Sequence, residues 1–278
     1  MGFFLIFISS ILSVSQSVLT KLASTGGRVA KTMSFNLFKT LGAFLLFGLI
    51  SVWSFKWHNP TVVYALLYGV FQLACNVFGY LALIKGPMAL TSLIVTYNVV
   101  IPCVYGVAFL GERVRILQYI GFALLALSML LLKKKDKDVK FKRHWALCTG
   151  LTFLCNGINS VILKIHQTIY PGQFRREFMC IALFVGAVVL LIAAVCTKQK
   201  PSISEIGFSV PSGIMMAIAN FLSLYLSAQI DATVLFPVTT VCSICLNCTL
   251  SKIIFKDKFT IMQIFGIILG IISVILIK

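Results

Sequence analysis

Residues 259–277, FTIMQIFGIILGIISVILI, run nineteen positions without an Asp, Glu, Lys or Arg. A helix rises about 1.5 Å per residue, so a run of this length crosses the roughly 30 Å of hydrocarbon in a bilayer. A membrane β-strand would alternate apolar and polar residues, and Ile264 to Ile277 does not. Working outward, the same test finds nine further windows: 2–20, 40–55, 61–84, 86–111, 116–132, 145–163, 178–197, 206–230 and 232–251. The sequence therefore predicts an all-α integral membrane protein of ten transmembrane helices.

Composition agrees. Of 278 residues, 59% are hydrophobic and 11% charged, with a mean hydropathy of +1.01; a soluble domain carries about 25% charge. The net charge of +17 would suggest a nucleic-acid partner in a soluble chain, but here the apolar excess makes the lipid bilayer the partner and excludes nucleic acid. The first window is too long and lacks the preceding cations of a secretory leader, and Ile6 breaks the myristoylation motif that Gly2 would open. All nine cysteines fall in predicted helices and read as packing residues. Cys242, Cys245 and Cys248 lack the fourth ligand of a cluster site, so no metal and no cofactor is expected.

The 259–277 stretch also belongs to a repeat. It follows Asp257-Lys258, and 145 positions earlier stands Glu112-Arg113; the same offset relates Gln118 to Gln263, Gly121 to Gly266, Lys133 to Lys278, and Tyr80-Leu81 to Tyr225-Leu226. Gln16-Ser17-Val18-Leu19-Thr20-Lys21 recurs 143 positions on as Asn159-Ser160-Val161-Ile162-Leu163-Lys164. The halves are residues 1–133 and 145–278, joined by a basic linker, 134–144. Five spans per half would insert the second half upside down, giving two inverted five-helix repeats, an arrangement characteristic of transporters. With the amino terminus outside, inside loops hold 17 Lys and Arg and outside loops 7, a bias that points both termini outward.

An amide in hydrocarbon is costly unless it is hydrogen-bonded or faces a wet cavity. Eight lie deep: Gln16, Gln72, Asn76, Asn98, Asn156, Asn159, Asn220 and Asn247. They mark helices 1, 3, 4, 6, 8 and 9 as inner; helices 2, 5, 7 and 10 read as outer, with apolar middles. Ser13, Gln16, Ser17 and Thr20 share one helical face, and Asn156, Asn159 and Ser160 repeat it. Gln72, Asn76 and Tyr80 form a second row, and Thr96, Tyr97 and Asn98 stand at mid-depth in helix 4. Pro102 withholds a backbone donor from the Asn98 carbonyl. The candidate substrate-binding residues are Ser13, Gln16, Gln72, Asn76, Tyr80, Tyr97, Asn98, Asn156, Asn159, Asn220 and Tyr225.

No acid is central. Glu112 and Asp257 are expected to sit at the positive amino-terminal ends of helices 5 and 10. Lys39 is expected to snorkel. His58, His144 and His166 stand apart at loop edges and read as solvated. With no H-E-x-x-H, P-loop, dinucleotide loop or G-x-S-x-G present, no catalytic residue is assigned and an enzyme is the weaker class. Neutral amides and tyrosines favour a neutral or zwitterionic small-molecule substrate. Rival readings are an exchanger of phosphorylated or nucleotide-sugar-type anions, using Lys21, Lys39 and Lys164, and a membrane scaffold whose polar stripes are interhelical glue. Gly266 and Gly270 form G-x-x-x-G on helix 10, which serves either a homodimer or internal packing.

Leu110-Gly111-Glu112-Arg113, with Gln118 and Gly121 following, resembles the turn and fifth-helix signature of the drug/metabolite transporter superfamily, specifically its ten-helix, EamA-like branch. The second half departs from it, with Phe255-Lys256-Asp257-Lys258 in place of the glycine and glutamate. The resemblance implies a central cavity lined by helices 1, 3, 4, 6, 8 and 9. It also implies cytoplasmic termini, against the charge count, so orientation stays open. The chain is expected in the plasma (inner) membrane.

Overall fold

The computed structural model describes residues 2–24, 31–51, 55–85, 91, 94–95, 97–112, 114–131, 143–197, 203–255 and 261–277. Among them the chain forms ten α-helices and no strand. They are α1 Gly2–Ser24, α2 Lys31–Ser51, α3 Asn59–Lys85, α4 Val100–Phe109, α5 Ile116–Leu131, α6 Arg143–Ile169, α7 Arg175–Thr197, α8 Ile203–Ser227, α9 Ala232–Phe255 and α10 Ile261–Ile277. A 3-10 turn, Tyr97–Val99, leads into α4. Helices α1, α2, α3, α6, α7 and α8 are long and apolar enough to cross a membrane, while the apolar parts of α4, α5, α9 and α10 are shorter among the described residues. The linker from Lys133 to Asp138, Thr96, Arg113 and the turn bearing Lys256, Asp257 and Lys258 lie outside the described residues, as do the side chains of Lys21, Glu205, Asn247, Cys248 and Gln263.

Large apolar side chains such as Leu49, Phe109 and Val195 stand at the surface, which suits a molecule whose surroundings are lipid tails. The main core forms where α2, α3, α6, α7 and α8 meet, around Ala43, Phe47, Tyr68, Phe178, Met179 and Leu224. A second cluster joins Ile6 of α1 to Leu226 of α8 and to Leu235 and Val238 of α9.

Helix pairs are stitched by short side chains that let backbones approach. Ser9 Oγ of α1 donates to the Ala219 carbonyl of α8 at 3.1 Å, and the Thr20 and Ser212 hydroxyls are 3.3 Å apart. Residue numbers thus rise along α1 as they fall along α8. The α3–α6 pair repeats the pattern: the Gln72 and Asn159 amides meet at 3.1 Å, and Thr61 Oγ1 lies 3.1 Å from His166 Nε2. Ser128 of α5 donates to the Gly266 carbonyl of α10 at 2.7 Å, and a Cβ at Gly270 would lie 3.0 Å from the same hydroxyl, so both glycines face α5 within the chain.

Several contacts recur at the repeat offset. A Cβ at Gly213 of α8 would collide with the Lys39 carbonyl of α2; a Cβ at Gly69 of α3 would lie 2.7 Å from the Ala182 carbonyl of α7. Gly69 and Gly213 are 144 positions apart, and Lys39 and Ala182 are 143. The same backbone-on-backbone crossing is built twice, with a lysine in one copy and an alanine in the other. Likewise Ser17 Oγ donates to the Ser13 carbonyl and Ser160 Oγ to the Asn156 carbonyl, at 2.9 and 3.1 Å.

The expectations for helix 2, Lys39, His166, His58 and Glu112 are corrected. The charge-free window opened helix 2 at residue 40, but α2 begins at Lys31, and Ser34, Asn36, Lys39 and Thr40 are buried in its first half. It is therefore not an outer helix with a purely apolar middle. Lys39 does not snorkel: it is 4% exposed, and its Nζ donates to Asn76 Oδ1 at 3.2 Å. The window rule failed because it treats every cation as outside, whereas α2 buries this one against α3. His166 is not solvated but fully buried, with its ring nitrogens 3.1 Å from Thr61 Oγ1 and 3.0 Å from Gln167 Nε2; α6 runs on past the predicted end at residue 163. His58 is stacked on Phe174 at 4.3 Å, and its Nδ1 lies 2.9 Å from the Thr61 hydroxyl that also meets His166, so these two histidines do not stand apart. Glu112 serves a different helix from the one expected, as described next.

Candidate functional site

A cavity of about 190 Å³ lies where helices of the two halves meet. Tyr68 and Gln72 of α3, Asn98 and Pro102 at the entry of α4, Asn156, Asn159 and Ser160 of α6, Asn220 and Ser223 of α8, and Thr239 and Thr240 of α9 form its polar wall, closed by Val99, Leu163 and Phe236. The spacing explains the convergence. Tyr68 and Gln72 are one turn apart on α3; Asn156, Asn159 and Ser160 share one face of α6; Asn220 and Ser223 share one face of α8.

Among the described residues, Gln72 and Asn159 satisfy each other at 3.1 Å. The side chains of Asn98, Asn156 and Asn220 have no hydrogen-bond partner among the described residues. All three are half-buried, so their amides are open to water or to a ligand in the cavity, either of which can supply the bonds that the protein does not. The volume is below the roughly 300–1,000 Å³ of drug-sized sites, so the cavity suits a small polar solute.

The structure brings together Gln72, Asn98, Asn156, Asn159 and Asn220 and leaves the other six candidates elsewhere. Gln16 stands at the α1–α8 seam, where its backbone carbonyl accepts from the Ser212 hydroxyl at 3.4 Å while its side chain donates to Thr20 of its own helix at 3.5 Å, and the Ser13 carbonyl accepts from Ser17 within α1 at 2.9 Å. Asn76 receives Lys39. Tyr80 packs on Phe35, ring centroids 5.8 Å apart. Tyr225 lies under the Arg175 guanidinium, 4.5 Å from its centroid. Tyr97 lines a separate groove of about 410 Å³ between α4, α5 and α9, whose wall is almost wholly apolar. Sequence reasoning missed Tyr68, Ser223, Thr239 and Thr240. Same-face spacing from Gln72 and Asn220 would have found the first two; nothing marked the threonines, since Thr239 also reads as a helix residue bonded to its own backbone, Oγ1 to the Leu235 carbonyl at 2.7 Å.

A buried charge cluster joins α6 and α9 to the turn after α4. Gly111, at φ +65°, turns the chain after α4, and Glu112 then reaches across to α9. Its Oε1 accepts from the Ala232 N–H at 2.8 Å and its Oε2 from the Thr233 N–H at 2.9 Å. Lys164 of α6 lies 3.4 Å from Oε1 and donates to the Ile230 carbonyl at 2.8 Å. A Cβ at Gly106 would come within 2.9 Å of the Glu112 carboxyl carbon, so that glycine makes the room. Glu112 thus does favour a positive helix end, but that of α9 rather than of the helix that follows it. The reason is that its partners lie 120 residues away and leave no local pattern. Lys164 is engaged by this carboxylate.

A solved structure described only as the crystal structure of a protein aligns with 99% of this chain and 95% of its own, at 15% identity and a TM-score of 0.73. That likeness shows a shared fold. No curated protein matches the chain. The EamA-like transporter family matches residues 1–133 and again residues 144–278. A multi-helix apolar chain that matches that family twice, once in each half, belongs to the EamA-like transporter family of membrane transporters for small solutes.

Proposed function

We propose that the protein is a secondary transporter of a small neutral or zwitterionic metabolite, amino-acid-like in its polar groups, that works by alternating access. In this reading ten helices cross the membrane as two inverted repeats, residues 1–133 and 145–278, around the amide-lined cavity. The recurring crossings, Gly213 on Lys39 and Gly69 on Ala182, support a two-fold relation between the halves. Such a relation gives inward- and outward-open states similar energies. The observation that carries the proposal is the trio Asn98, Asn156 and Asn220, contributed by both halves to one cavity, whose side chains have no hydrogen-bond partner among the described residues. Interhelical glue would be paired. The phosphorylated-anion reading is weakened because Lys164 is held by Glu112.

Substituting Asn220 by Leu separates carrier from scaffold. In reconstituted vesicles the carrier reading expects flux of the transported solute to fall at least about tenfold, since a site built to bond a polar solute loses a bond it cannot replace. The melting temperature should stay unchanged or rise, because an unsatisfied amide has been removed. A variant that melts early while the surviving folded protein transports normally would instead identify Asn220 as glue.

A further inference from the structure

Lys39 is a buried cation for which the fold gives no structural reason. Among the described residues its one hydrogen-bond partner is the neutral Asn76 Oδ1, at 3.2 Å, and no carboxylate pairs with it. The acids whose side chains are described are otherwise placed: Glu112 holds Lys164 and α9, Glu177 accepts the Lys56 N–H, and Asp231 is exposed. An ammonium buried without a counter-charge is costly, and burial is normally matched by an opposite charge. Packing does not demand the lysine either. Its equivalent in the other half is Ala182, and Gly69 closes on that alanine as Gly213 closes on Lys39. The same crossing is built without a cation.

Position supplies the missing reason. Asn76 lies one turn from Gln72 on the same face of α3, and Gln72 is part of the cavity wall. The Lys39 ammonium therefore extends the amide row by one turn beyond the cavity. We propose that Lys39 and Asn76 form the anion-binding end of the solute site, and that the transported solute carries a carboxylate. The single ammonium of Lys39 matches one negative charge, and the volume suits a small monocarboxylate or amino acid rather than a sugar nucleotide. This inference rests on the carrier reading above and adds the charge of the substrate to it.

The test measures flux into proteoliposomes for acetate, lactate, L-alanine and L-leucine against their amides, using wild type, K39A and K39R. The alanine variant reproduces the residue that the other half carries at this place, so it is expected to fold; equal melting temperatures and monodispersity check this. Wild type should move at least one acid about tenfold or more faster than its amide, the scale expected of a charge-assisted bond in a dry site. K39A should bring that ratio to within about twofold while still moving the amide, and K39R should restore much of it. The accepted acid should also raise the melting temperature of wild type and not that of K39A. Retention of the acid preference in K39A, or equal flux of acid and amide in wild type, would overturn the inference while leaving the carrier reading intact. No flux of any of these compounds above protein-free vesicles would overturn both.

Discussion

Replacing Glu112 by Ala should be among the most damaging single changes in the protein. Three consequences coincide. The first two N–H groups of α9 lose their acceptors, a capping loss of about 0.5–2 kcal/mol. Lys164, with its side chain 8% exposed, is left as a buried charge whose remaining bond is to the Ile230 carbonyl; breaking a buried pair from one side costs about 3–5 kcal/mol. The room made by Gly106 becomes a void beside Cys103 and Ala232. Thermal unfolding in detergent should show a large fall in melting temperature, or no folded protein. The double variant E112A/K164M separates the contributions. Removing the orphaned cation should recover part of the loss, leaving the capping term, so the two substitutions should be strongly non-additive. Additive effects would mean that Glu112 acts on α9 alone.

The second large effect is expected from Gly213→Val. The α2–α8 crossing brings the Lys39 carbonyl onto the Cα of Gly213 so closely that any Cβ collides with backbone. Overpacking a core with a side chain typically costs about 1–3 kcal/mol because neighbours rotate away; a carbonyl in a helix cannot, so the loss should reach or exceed the upper figure. Gly213→Ala should already be harmful. Gly150→Ala makes the control, since a Cβ there meets nothing within 4 Å and removal of a mid-helix glycine is worth about 0.5–1 kcal/mol in the stabilising direction. Opposite signs for the two alanine substitutions in the same melting assay are the expected result. A tolerated Gly213→Val would show that α2 and α8 do not cross this closely.

What could be read from the sequence follows from the range of each signal. The all-helical fold was legible, with six helices long and apolar enough to cross a membrane among the described residues, because an apolar run needs no partner to be recognised. The cavity was legible in part for a related reason: an amide in an apolar segment is rare, so Gln72, Asn98, Asn156, Asn159 and Asn220 stood out individually, and α3, the turn before α4, α6 and α8 carried them to one place. Ser13, Gln16 and Asn76 stood out for the same reason, yet the same chemistry serves helix–helix seams and the Lys39 contact, and composition does not distinguish a seam from a cavity. Lys39 itself was misjudged because hydrophobic windows register exclusion from water without telling lipid from protein interior. Glu112 was assigned to the adjacent helix because dipole reasoning is local, while the helix it caps starts in the other half of the chain. His166 was misjudged through a boundary error: ending the helix at residue 163 placed it in a loop.

The account as a whole stands on a hydrated cavity between the halves that communicates with each side of the membrane in turn. A cysteine placed at Asn220, on a background in which the native cysteines are replaced and transport is retained, reports on this directly when challenged with a membrane-impermeant maleimide from either side of sealed vesicles. The account predicts modification from both sides, at rates that shift in opposite directions when solute is added to one side. Absence of modification from both sides, with the protein folded, would contradict it.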